Sequence, residues 1–148
     1  MSGHAALYGS IGLYGLIGLA VVTATGCGGD VAAGLTVSGT VTCEGKPLSG
    51  AVVTLEPLPG TTGPNASAPV LDGKFRVESD AGLHGGSYRA RFEMIPIELR
   101  KAIPAEHAGN LPPDDAVIDP DYDANSKQTC KLVAEQENSL EFEIEFLK

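Results

Sequence analysis

Leu140-Glu141-Phe142-Glu143-Ile144-Glu145-Phe146 alternates apolar and acidic side chains without a break. A period of two sends successive side chains to opposite faces of an extended chain, so one face is greasy and the other carries three carboxylates. A slip of one residue would bury all three, which fixes this strand's register. The same pattern recurs upstream. In Leu35–Cys43, Val37, Val41 and Cys43 share one face while Thr36, Ser38, Thr40 and Thr42 share the other. A turn at Glu44-Gly45 leads through Lys46-Pro47-Leu48-Ser49-Gly50 into a second strand, Ala51–Glu56. Pro57–Pro69, with four Pro and two Gly, reads as a loop. Asp72-Gly73 lies between Val70-Leu71 and Phe75-Arg76-Val77, the signature of a type I′ hairpin, which needs φ > 0 at both turn residues. After Gly85-Gly86, Tyr88, Ala90 and Phe92 alternate with Arg89 and Arg91, and Thr129–Ala134 connects through Glu135–Ser139 to the C-terminal strand. Pro96–Ala102 is expected to form one or two helical turns, and no long amphipathic helix is present. Residues 35–148 therefore predict an all-β, antiparallel Greek-key β-sandwich of about seven strands.

Charge and composition narrow the function. The chain has 148 residues, about one domain, with 10 basic and 19 acidic side chains and a net charge of -9. Every charged side chain lies after residue 26. An acidic body without a basic cluster does not suit nucleic acid, whose phosphates need grouped Lys and Arg, nor electrostatic docking on anionic lipid heads. Aromatics make up 5% and Trp is absent, which argues against a stacking platform for bases or sugars.

The first 26 residues read as an address. They carry no Asp, Glu, Lys or Arg, are apolar from Ala5 to Val22, and end in small residues directly before Cys27. Ala24-Thr25-Gly26-Cys27-Gly28-Gly29 resembles the bacterial lipobox. That resemblance implies a signal peptide over 1–26, cleavage before Cys27, and lipidation of Cys27 by a diacylglyceryl thioether and an N-acyl chain such as palmitate. Two or three acyl chains, at about 0.8 kcal/mol per buried methylene, give stable anchoring. The alternative anchor is an uncleaved helix over residues 5–25, long enough to cross a bilayer, with Gly9, Gly12, Gly15 and Gly18 along it. Residues 27–34 are then a flexible tether.

A family resemblance rests on three motifs. Val37-Ser38-Gly39-Thr40-Val41-Thr42 followed by Gly45-Lys46-Pro47-Leu48-Ser49-Gly50-Ala51-Val52-Val53 resembles the opening of carboxypeptidase regulatory-like domains, which share the transthyretin-like fold. Asp72-Gly73-Lys74-Phe75 and Gly86-Ser87-Tyr88 resemble that family's second and third signatures, and Pro120-Asp121-Tyr122 and Asn138-Ser139-Leu140-Glu141-Phe142 its closing elements in small bacterial lipoproteins. The resemblance implies a structural or binding module without catalysis of its own. Glu93–Asn125 is longer and more irregular than the pattern requires, so a specific activity, if the chain has one, is expected there.

Candidate chemistry is sparse. Asp119, Asp121, Asp123 and Asn125 recur every second residue, a set of oxygens of the kind calcium takes, but Ala124 and Cys130 stand where a calcium loop places its glycine and bidentate Glu. The competing reading is a solvated acidic loop. His84 and His107 have no zinc-type spacing and read as surface loop residues, and no Gly-x-Ser-x-Gly elbow is present. No cofactor is implied. Cys43 and Cys130 both fall on the apolar parity of their strands; as the pair left in an exported chain they either form a disulfide or stay as two buried thiols, the bridge being the favoured reading. Glu141, Glu143 and Glu145 are expected to face Arg89 and Arg91 if their strands are neighbours. The sequence thus predicts a non-enzymatic, membrane-tethered envelope lipoprotein that meets an envelope protein or polysaccharide, with a calcium- or carbohydrate-binding accessory subunit using residues 93–125 as the alternative.

Overall fold

A computed structural model describes residues 33–148. Eight strands form two packed four-stranded sheets. In the first sheet β1 (Val37–Cys43) is central. One of its edges is lined in succession by β5 (Lys74–Val77) and the two-residue β2 (Lys46–Pro47), both antiparallel. Along the other edge runs β8 (Asn138–Ile144), in register from Val37↔Asn138 to Cys43↔Ile144. The second sheet has the order β4 (Ala66–Val70), β3 (Ala51–Pro57), β6 (Gly86–Met94), β7 (Thr129–Leu132), all antiparallel.

The all-β sandwich is as expected, with one correction. The β1–β8 pair is parallel, so the fold is mixed rather than purely antiparallel. The reason is where β8 begins. The chain leaves β7 in the second sheet and crosses over at the end where β1 starts, so the two strands run the same way. Around the sandwich, β3, β4 and β5 follow one another and β6 returns to lie beside β3, which is a Greek key.

Asp72 and Gly73 have φ of 51° and 71°, and Leu71 and Lys74 exchange two backbone hydrogen bonds of 2.9 Å. The expected type I′ turn is therefore formed. It does more than close a hairpin within one sheet, since it carries the chain from the second sheet into the first.

Part of the segment read as loop is strand. Ala66, Ala68 and Val70 point inward and Ser67 and Pro69 outward. Alanines carry too little apolar signal to announce a strand, and Pro69 is tolerated because β4 is an edge. Gly34, expected to belong to the tether, packs on the domain. It lies so close to Ser79 and Gly82 that a Cβ would collide with their backbone, and Leu35 N–H donates to Leu83 O at 2.8 Å.

The core follows the alternation. Val37, Val41, Val53, Leu55, Tyr88, Phe92 and Ile144 are fully buried. Phe142 stacks on Phe75 (centroids 6.2 Å) and meets Phe92 edge-on (5.2 Å), tying both sheets together. Gly39 has no Cβ because the Phe75 ring lies across it. Buried Tyr88 keeps its hydroxyl satisfied, donating to His84 O (3.0 Å) and accepting from His84 N–H (3.1 Å).

Candidate functional site

The long connection between β6 and β7 folds over one end of the sandwich. It holds a single helical turn, Ile97–Arg100, and a 3-10 segment, Ala105–Asn110. It has no alternation to bury, so polar contacts pin it. Arg100 is buried, its stem lies against Gly50, and its guanidinium donates to Pro113 O (3.3 Å) and Asp114 O (2.8 Å). Its Nε is buried without a hydrogen-bond partner. Gly50 has φ +78° and donates its N–H to Val70 O, a backbone position that favours glycine.

A second clasp sits on the Asp72-Gly73 turn. The Asp72 carboxylate meets His107 Nδ1 at 2.7 Å and accepts from Asn110 Nδ2 at 3.2 Å. The hydrogen bond with His107 draws the Asp72 pKa below the usual carboxylate range. Asp72 N–H donates to the Oγ of fully buried Ser49 at 2.7 Å, and Ser49 N–H donates to Asn110 O at 3.1 Å. Two connections, the one through Ser49 and the insert, thus converge on one turn. This Ser, Asp and His do not make a nucleophile relay: Ser49 Oγ bonds backbone, and His107 Nε2 faces Glu106 at 3.6 Å.

Between the insert and the β1–β2 hairpin lies a cleft of about 440 Å³, lined by Cys43, Lys46, Leu48, Asn110, Leu111 and Phe146. A second, of about 460 Å³, continues past Pro113 and Phe146 to Val117 and Leu147. Val117 and Leu147 are 54% and 56% exposed, and Leu147 N–H donates to Val117 O at 2.8 Å, so they form one apolar patch. Cys43 is six residues along β1 from Val37, about 20 Å. The patch and clefts therefore cap the end remote from Ala33–Leu35.

The structure separates most of the residues singled out from sequence. Cys27, with the expected signal peptide, the alternative helix over 5–25 and most of the tether, lies outside the described residues. Among the described residues no helix is long and apolar enough to cross a membrane. The favoured Cys43–Cys130 bridge is not formed; both are free thiols. Cys43 ends β1 beside Phe146, while Cys130 pairs with Tyr88 in the other sheet, at the end where Leu35 enters. A disulfide needs Cα atoms within about 7 Å. Burial pushes each thiol up to about 11, with Glu44 adding to the effect at Cys43.

Two members of the acidic series, Asp119 and Asp123, are spent on the fold. Asp119 Oδ1 accepts from Asp121 N–H at 2.9 Å and caps the 3-10 turn Pro120–Tyr122, and Asp123 pairs with Arg91 at 2.8 Å. Asp119, Asp121 and Asp123 are not gathered into a cation site, and among the described residues no cluster of three or more His, Cys, Asp or Glu could hold a metal. The expected partnership of Arg89 and Arg91 with Glu141, Glu143 and Glu145 is also overturned, because β6 and β8 lie in different sheets. Arg89 instead pairs with Glu56, and Arg91 bridges Glu56 (2.9 Å) to Asp123. The Arg89 hydrogen bond, reinforced by Arg91, holds Glu56 below the usual carboxylate range.

Sequence reasoning missed Ser49, Arg100, His107 and Asn110. His107 reads from sequence as a surface loop residue, and the one available signal is that Asp72 occupies a turn whose carboxylate must point somewhere. No family model matches the chain, and no curated protein is significantly similar to it.

Proposed function

We propose that the chain is a lipid-tethered, non-catalytic interaction module of the cell envelope, built on a carboxypeptidase regulatory-like domain and anchored through Cys27. The observation that carries this reading is the placement of the apolar patch. A domain held through residues 27–34 has one free end, and Val117, Leu147 and the two clefts occupy it. Exposed, contiguous apolar side chains beside polar-rimmed clefts suit a protein contact. The glycine-containing motifs support the family reading, because Gly39, Gly50 and Gly73 serve packing and turns rather than chemistry.

The test has two arms. Palmitate feeding should label the wild type and leave Cys27→Ser unlabelled and released from membranes; two unlabelled, membrane-bound proteins would refute the anchor. A pull-down from solubilised membranes should recover a partner with the wild type and lose it with Val117→Glu/Leu147→Glu. Equal recovery with that variant would refute the contact surface.

A further inference from the structure

A wider concavity, of about 530 Å³ and lined by no residue of the insert, lies on the outer face of the first sheet. Strand register builds it. Lys74 on β5 stands opposite Thr40 on β1, Arg76 opposite Ser38, and Ser139 on β8 continues the second row. Each row therefore begins with a cation followed by a hydroxyl; the Arg76 row continues to Ser139 and the Lys74 row to Glu141. The two cations are about 7 Å apart along β5. Pro69 and Leu71, at the corner where the chain changes sheets, supply an apolar wall.

The charge is unusual for this molecule. In a chain of net charge -9, no carboxylate lines the concavity. Among the described residues Lys74 has no ion-pair partner, although the Asp72 carboxylate feels its charge, and Arg76 pairs through Nε with exposed Glu78 at 2.6 Å and also feels Glu137. On the same face Glu141 and Glu143 lie opposite Thr40 and Thr42. The face thus passes from cations on β5, across a hydroxyl stripe, to carboxylates on β8. An anionic group is drawn to the β5 side and repelled from the β8 side, which orients any ligand carrying one charge and many hydroxyls. The volume is in the range of small-ligand sites.

We propose that this face binds a carboxylate-bearing saccharide, with the carboxylate between Lys74 and Arg76, ring hydroxyls on Ser38, Thr40 and Ser139, and ring C–H groups against Pro69 and Leu71. The proposal rests on reading the chain as a binding module, and it moves saccharide recognition from the insert to the opposite kind of surface, a sheet face. Full-length protein in neutral detergent is titrated with a short oligogalacturonate, a cello-oligosaccharide of equal length, and inorganic phosphate, following backbone amide shifts. Oligogalacturonate should shift Ser38, Thr40, Lys74, Arg76 and Ser139 saturably. The other two probes should bind at least tenfold more weakly, as should oligogalacturonate to Lys74→Glu/Arg76→Glu, whose substitutions are at exposed positions; Lys74→Ala alone should weaken it by a smaller factor in the same direction. Phosphate binding as tightly would reduce the site to a simple anion contact and overturn the proposal. Equal affinity for the neutral sugar, or unchanged affinity in the charge variants, would also overturn it. Failure here with palmitate labelling and Val117/Leu147-dependent recovery intact would leave the tethered module standing; the reverse outcome would remove the module and keep the groove.

Discussion

The sandwich and the insert that caps it are held by different physics. In the sandwich, the longer strands commit a whole face to the core, so stability is spread over many buried apolar residues. In the insert, the segment from Ile95 to Gln128 offers little alternation: Ile118 enters the core and Ser126 and Asp123 fasten its later part to β6, while two polar clasps at Arg100 and Asp72 hold its earlier part. Distributed burial announces itself in sequence through alternation, and point clasps do not.

Substitutions can break that contrast, beginning with the largest effect. Phe92→Ala removes a fully buried ring that meets Phe142 edge-on, and should cost about 3–5 kcal/mol of global stability by urea unfolding. A loss below 1 kcal/mol would mean that the two sheets are not jointly held. Arg100→Met keeps the stem over Gly50 and deletes the two carbonyl contacts. It should cost about 1–3 kcal/mol, confined to the insert. Amide exchange should accelerate across residues 97–117 with the β-strand dichroism unchanged, and uniform acceleration would contradict a local clasp.

Asp72→Ala should have a smaller effect, seen as faster proteolysis between Lys101 and Asn110. The clasp is pH-dependent with a definite sign. The Asp72 carboxyl is held below its ordinary value, so its contribution is complete above about pH 3.8 and is lost as pH falls through the lower, folded-state value. Wild-type proteolysis should therefore approach that of Asp72→Ala only in strong acid. Glu56→Gln should act similarly on the second sheet. The stability gap from wild type should be present at neutral pH and close as pH falls below about 4.5, whereas a gap constant with pH would assign Glu56 a packing role alone. Last, alkylation of Cys43 and Cys130 should be slow at pH 8 and complete after denaturation without reductant, since both are free and shifted to about 11.

The same contrast explains what could be read in advance. Strands β1, β3, β5, β6 and β8 were legible because β-branched, aromatic or acidic residues alternate along them. β4 was not, because Ala66 and Ala68 are too small to signal burial and Pro69 suggests a loop. The direction of β8 was hidden because alternation gives a strand's faces and not its neighbour. The Asp72-Gly73 turn was legible from two adjacent residues, yet its bonds to His107 and Asn110 span more than thirty positions and leave no local pattern. The acidic series 119–125 looked like a ligand set because spacing cannot show that Arg91 already claims Asp123.

The central claim, that the insert-capped end is the contact surface of a tethered domain, is tested most directly by photocrosslinking in intact cells. A photoactivatable residue at Val117 should yield a discrete crosslinked species that disappears with Cys27→Ser, while the same residue at exposed Asp80, at the end where Leu35 enters, should yield none. Equal products from the two positions, or a Val117 product indifferent to Cys27→Ser, would contradict it.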